Sequence, residues 1–134
     1  MLDASVLVDA LVGAGPEGQA ARVVLQDVAL LPAPAILGAE ALSAVRALRR
    51  REAIGAARAE AAREAIRTLR IRSYPFEPFI DRVWELRANL TVYDAWYIAL
   101  AERLGIPFVS ADRRLLAAPG PRCSMRHVMD HPDS

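Results

Sequence analysis

Short apolar blocks alternate along the chain with longer stretches in which apolar residues recur every three or four positions. The blocks suit strands and the stretches suit amphipathic helices, so the alternation predicts an α/β fold with a mainly parallel sheet. Met1 to Asp3 reads as a clipped first strand and Ser5 to Val12 as a helix ended by the Gly13–Gly18 loop. Gln19 to Gln26 reads as a second short helix, and Val28 to Leu31 as a strand. Pro32 and Pro34 then open a long helix to about Arg51, because proline suits a helix's first turn. Gly55 interrupts it, Ala56 to Leu69 resumes as an alanine-rich helix, and Ile71 to Tyr74 fits a third strand. Pro78 starts a helix through Arg87. Thr91 starts another, which stops at Gly105, a well-placed helix-terminating glycine. Ile106 to Ser110 is the clearest strand. A small helix over Asp112 to Leu116 and a last strand near Met125 to Met129 follow. Residues 1–130 are expected to form one domain, with 131–134 as a frayed tail.

Composition narrows the class. With 54% hydrophobic and 25% charged residues, the 134-residue chain has enough apolar material for a core and is not of disordered composition. No apolar run approaches the roughly 20 residues that span a bilayer, and no secretory signal pattern opens the chain, so a soluble, cytoplasmic protein is expected. Net charge is +1, which excludes a strong global positive field. All 17 basic residues are arginine. Arginine offers planar, bidentate contact to phosphate or carboxylate, so RNA or an acidic partner is compatible with that bias. The lone Cys123 cannot form an internal disulfide, and no cysteine–histidine cluster suggests zinc. His127 and His131 are four apart, a weak metal-pair spacing in a proline-ended tail.

Four acids stand where acids are costly. Asp3 and Asp112 each follow a predicted strand, and ligands gather beyond the carboxyl ends of parallel strands. Glu40 shares a helix face with Ile36, Leu37, Ser43, Ala44 and Ala47, so its carboxylate falls on the mainly apolar, inward side. Asp94 begins an almost wholly apolar helix. Each has an ordinary structural reading too. Asp3 and Asp112 suit turns, Glu40 suits pairing with an arginine, and Thr91-x-x-Asp94 suits a helix cap. As a group, clustered carboxylates repel one another unless a divalent cation sits among them. Mg²⁺ prefers such oxygens, neutralises a bound phosphodiester and activates water. No convincing histidine, serine or cysteine nucleophile competes with that chemistry.

The segments Leu-Asp-Ala-Ser-Val-Leu-Val (2–8), Ala-Glu-Ala-Leu-Ser-Ala-Val-Arg (39–46), Leu-Thr-Val-Tyr-Asp-Ala-Trp-Tyr-Ile-Ala-Leu-Ala (90–101) and Phe-Val-Ser-Ala-Asp-Arg-Arg-Leu (108–115) together resemble a PIN-domain ribonuclease. They look most like the VapC toxins of bacterial type II toxin–antitoxin systems. The resemblance implies a three-layer α/β/α sandwich around a mainly parallel sheet of four to five strands. It implies that Asp3, Glu40, Asp94 and Asp112 form the acidic quartet, with Asp3 and Asp94 the most direct Mg²⁺ ligands and Mn²⁺ the alternative ion. Ser5 and Ser110 are then supporting hydroxyls. A homodimer, a cognate antitoxin in a heterotetramer or larger assembly, and an RNA substrate are implied as well. Independently, the helix carrying Trp96, Tyr97, Ile98 and Leu100 has more apolar surface than one sheet face covers, which suggests a subunit interface. Arg49 to Arg51 read as a solvated helix end. The family usually carries three or four apolar residues before its first aspartate, whereas Met1 and Leu2 precede Asp3 here, so either the first strand is very short or the true start lies upstream. That short strand leaves one alternative, a PIN-like module that binds RNA or protein without cutting. A phosphatase or response-regulator reading fits poorly, because Asp3 is followed by Ala-Ser and lysine is absent.

Overall fold

The computed structural model describes residues 1–130. Helix α1 (Ala4–Val12) and helix α2 (Pro16–Gln26) open the chain, and β1 (Leu31–Pro34) leads into α3 (Leu37–Arg50). Helix α4 (Ala56–Thr68) and β2 (Ile71–Tyr74) come next. A 3₁₀ turn at Glu77–Phe79 then leads to α5 (Ile80–Glu85) and α6 (Val92–Leu104). Strand β3 (Phe108–Ser110), helix α7 (Arg113–Leu116) and strand β4 (Met125–His127) complete it.

The mixture is α/β with parallel pairing throughout, as the alternating pattern predicts. The sheet itself differs from expectation. Among the described residues the ladders are two parallel pairs, β1 with β2 and β3 with β4, and no four-to-five-strand ladder joins them. The expected first strand is reduced to one parallel bridge between Leu2 and Val109. It is nonetheless anchored: Asp3 N–H donates to the Val109 carbonyl at 3.0 Å, and Val109 N–H to the Met1 carbonyl at 2.8 Å.

The prolines explain part of the difference. Pro32 and Pro34 lie inside β1, which runs Leu31–Pro34 instead of Val28–Leu31, and the helix expected from Pro34 starts only at Leu37. Leu31 N–H donates to the Arg70 carbonyl and Ala35 N–H to the Tyr74 carbonyl, so the odd-numbered amides face β2. The even positions face the other edge, where proline has no N–H to offer. Proline is tolerated there because that edge carries no ladder, and its presence keeps the edge unpaired. Other boundaries shift less. Helix α2 begins at Pro16, and the predicted Pro78–Arg87 helix divides into the 3₁₀ turn and α5.

Helix α6 is the spine of the core. Its residues Ala95 to Ala101 are all buried, packed among β1, β3, α5 and the 3₁₀ turn. Trp96, Tyr97, Ile98 and Leu100 are 7%, 1%, 0% and 0% exposed. The apolar excess that suggested a subunit interface is therefore spent inside the chain, because the helix is enclosed on every side and not on one sheet face alone. Gly105 ends α6 with φ +66°, the left-handed conformation that glycine adopts at no steric cost.

Candidate metal centre

Four separate elements deliver the four acids. Asp3 follows the Leu2–Val109 bridge and stands at the N-terminal boundary of α1, where its carboxylate makes no capping bond. That carboxylate is instead held by two hydroxyls: Ser5 Oγ donates to Asp3 Oδ2 at 3.0 Å and Ser110 Oγ donates to the same oxygen at 2.9 Å. Ser110, fully buried at the end of β3, also accepts the Asp112 N–H at 3.0 Å. The Ser110 hydroxyl, 107 residues from Asp3 along the chain, thus ties Asp3 to the Asp112 backbone.

Asp112 is exposed and caps α7, its Oδ1 accepting the N–H groups of Arg114 at 3.0 Å and Leu115 at 3.3 Å. The helix-start reading of Asp112 is therefore correct for one carboxylate oxygen. The cap on α6 is likewise real, but it is the Thr91 hydroxyl that accepts the Asp94 N–H, at 3.1 Å. Glu40, in the first turn of α3, accepts a 2.8 Å hydrogen bond from the Tyr97 hydroxyl. Tyr97 lies three residues after Asp94 on the same face of α6, so that bond draws Glu40 toward Asp94. The arginine partner that a buried Glu40 might take is absent among the described residues.

The electrostatics connect these groups. Burial raises the pKa of Glu40, the Tyr97 hydrogen bond opposes this, and the charges of Asp3 and Asp94 push it further up. Burial also raises Asp94, and Asp3 and Asp112 add to the shift while the Thr91 hydroxyl offsets part of it. Tyr97, buried against Glu40, Asp3 and Asp94, has its phenol pushed well above the usual range by burial first and by those acids second. Among the described residues, the charges that shift Glu40 and Asp94 are all carboxylates. Such a donor set suits a hard divalent cation, which would relieve the repulsion. Among the described residues no three His, Cys, Asp or Glu side chains stand close enough to enclose an ion. A tight protein cage is therefore absent among the described residues, and a cation held here would need water to complete its coordination.

Tyr97 is the residue that sequence reading passed over. Its signal was available: a phenol in a wholly apolar helix must find a partner when buried. An apolar cavity of about 510 Å³ between α2, Leu2, β1 and β4 contains none of the four acids. Of the histidine pair, His127 is buried with both ring nitrogens engaged, and His131 lies outside the described residues.

Two strand-end acids bridged by the buried Ser110 hydroxyl, with two helix acids beside them, make a carboxylate-rich site of the kind seen in metal-dependent hydrolases. A family model described as "PIN domain" matches residues 1–121, and the chain belongs to that family. Its relatives carry the name VapC. The chain is 39% identical to Ribonuclease VapC1 of Mycobacterium tuberculosis over 129 residues, 96% of each chain. It is 37% identical to the VapC ribonuclease Mb0985 of Mycobacterium bovis over 115 residues, 86% of this chain and 87% of the relative. Ribonuclease VapC12 of Mycobacterium tuberculosis is 33% identical over 120 residues, 90% and 92% of the two chains.

Proposed function

We propose that the chain is a single-domain endoribonuclease, over residues 1–130, that acts as the toxin of a type II toxin–antitoxin system. The observation that carries this reading is the half-buried pair Glu40 and Asp94, on which, among the described residues, other carboxylates act, in a chain of the PIN-domain family with relatives named ribonucleases. Asp3 and Asp94 are the direct metal ligands, with Glu40 and Asp112 completing the site directly or through water. Mg²⁺ is the proposed ion and Mn²⁺ the alternative. Bound there, the ion supplies neutralisation of the phosphodiester and a lowered pKa for the attacking water.

The chain's own groups do the rest. Ser5 and Ser110 hold Asp3 Oδ2 from two sides, which leaves Oδ1 as the oxygen aimed at a ligand. Tyr97 fixes one Glu40 oxygen and leaves Oε2 to orient a water. Asp112 spends Oδ1 on the α7 cap and keeps Oδ2 free, so α7 sets its direction. A homodimer and a cognate antitoxin, bound in a heterotetramer or larger assembly, complete the proposal. No helix among the described residues is long and apolar enough to cross a membrane.

Purified protein is expected to cleave RNA in Mg²⁺ and to stop in EDTA. Asp94→Asn is expected to lower the cleavage rate by about 100-fold or more, the consequence of losing roughly 3 kcal/mol of transition-state charge stabilisation. Wild-type cleavage by that variant removes the assigned site.

A further inference from the structure

The histidine left over from the metal-pair expectation sits directly beneath the acidic site. His127 ends β4 opposite Ser110 in the parallel register and is 5% exposed. Its Nδ1 accepts the Met129 N–H at 3.1 Å. A ring nitrogen that accepts an N–H carries no proton, so the imidazole proton resides on Nε2. Nε2 lies 3.3 Å from the Ala111 carbonyl oxygen, its acceptor among the described residues. Ala111 is the single residue between Ser110, which grips Asp3, and Asp112.

The turn that holds the ring is closed on itself. Asp130 Oδ2 accepts the His127 N–H at 3.3 Å, and Asp130 N–H donates to the His127 carbonyl at 2.9 Å. Val128 N–H donates to the Ser110 carbonyl at 3.0 Å, locking this turn to the end of β3. The loop 110–112 is thus held at the Ser110 carbonyl by the Val128 N–H, at the Ser110 hydroxyl by the Asp3 carboxylate and the Asp112 N–H, and at the Ala111 carbonyl by the His127 ring.

We propose that His127 is a positioning residue: locked in the Nε2–H tautomer by Met129, it fixes the Ala111 carbonyl and so aims Asp112 and Ser110 into the acidic site. The inference rests on the metal-site reading above. Partners one step behind metal ligands orient them, and their loss commonly lowers metal affinity or activity by roughly 10- to 100-fold. The same two bonds exclude His127 as a metal ligand, because both ring nitrogens are already used.

Three variants of the full chain separate positioning from packing. His127→Leu removes both bonds, and its cleavage rate is expected to fall about tenfold while the Mg²⁺ concentration for half-maximal rate rises by a similar factor. His127→Gln places an amide N–H where Nε2 stood and is expected to recover most of both losses. His127→Asn keeps an acceptor for Met129 N–H, falls short of Ala111, and is expected to recover neither. Equal behaviour of the Gln and Asn variants per folded molecule overturns the proposal, as does a His127→Leu variant with wild-type rate and Mg²⁺ dependence. Ring ¹⁵N shifts of the wild-type protein, which need no variant to fold, should report the Nε2–H tautomer, and the Nδ1–H tautomer overturns it too. Asp94→Asn in parallel keeps the two ideas apart. Wild-type cleavage by that variant sinks the site reading and leaves the ring spectrum unchanged.

Discussion

The two ends of α6 carry two acids with opposite surroundings. At the C-terminal end, Glu102 receives two bonds from Arg82, at 2.8 and 3.0 Å, and the Arg122 N–H at 3.0 Å. Burial alone would raise its pKa, but Arg82 and Arg122 outweigh burial and hold the carboxyl below its usual value. At the N-terminal end, Asp94 is also partly buried, and among the described residues the charges around it are those of the carboxylates Asp3, Asp112 and Glu40, so its pKa is raised. One helix thus holds a carboxylate that the fold satisfies and another that it leaves for something else to satisfy. A buried acid with a cation beside it is structural. One with only acids beside it is a functional candidate.

Neutralising each acid in turn should expose the contrast most strongly. Glu102→Gln leaves Arg82 partly buried without its main partner and is expected to cost about 2 kcal/mol, measured by chemical denaturation. Without divalent cation, Asp94→Asn should move the other way, gaining about 0.5 kcal/mol after allowance for solvent screening, a melting rise of roughly 2 °C. A loss of stability in the Asp94 variant would erase the distinction. Added Mg²⁺ should then raise the melting temperature of wild type more than that of Asp94→Asn.

The pH dependence follows the same division. A raised carboxyl pKa, as at Asp94 and Glu40, means a stability contribution present below the ordinary value (3.8 for aspartate, 4.5 for glutamate) and lost as pH rises through the raised value. The depressed pKa of Glu102 means a contribution present above its ordinary 4.5 and lost as pH falls through the lowered value. In metal-free buffer the advantage of Asp94→Asn over wild type should therefore shrink as pH falls from 7 toward 4. The deficit of Glu102→Gln should persist until pH drops below the ordinary glutamate range. Thermal unfolding across that range tests both signs.

The smallest expected effect belongs to a hydroxyl. Ser110→Ala frees one side of Asp3 and leaves the Asp112 N–H without its acceptor, so the Mg²⁺ requirement for cleavage should rise about threefold to tenfold, with RNA affinity unchanged. An unchanged Mg²⁺ titration would reduce Ser110 to a strand-end residue.

Much of this was written locally in the chain. Glu40's inward helix face, the Thr91 cap, the Gly105 stop and the enclosed helix between them follow from periodicity and backbone preference, which act over a few residues. So does the order of the four acids, which carries the resemblance to the PIN-domain ribonucleases. Other features depend on partners distant in sequence. Pro32 and Pro34 signal a helix start by local rule, and only the neighbouring Arg70–Tyr74 segment shows why a strand can hold them. Trp96 and its neighbours promise a free apolar face until β1, β3 and α5 enclose them. Sequence alone determined which acids are expensive. Tertiary structure decided which half-buried acids had a cation, because Arg82 meets Glu102 across 20 residues while, among the described residues, no arginine pairs with Glu40 or Asp94. Pairing over such separations costs nothing visible in a local pattern, so charge compensation is read only from the folded chain.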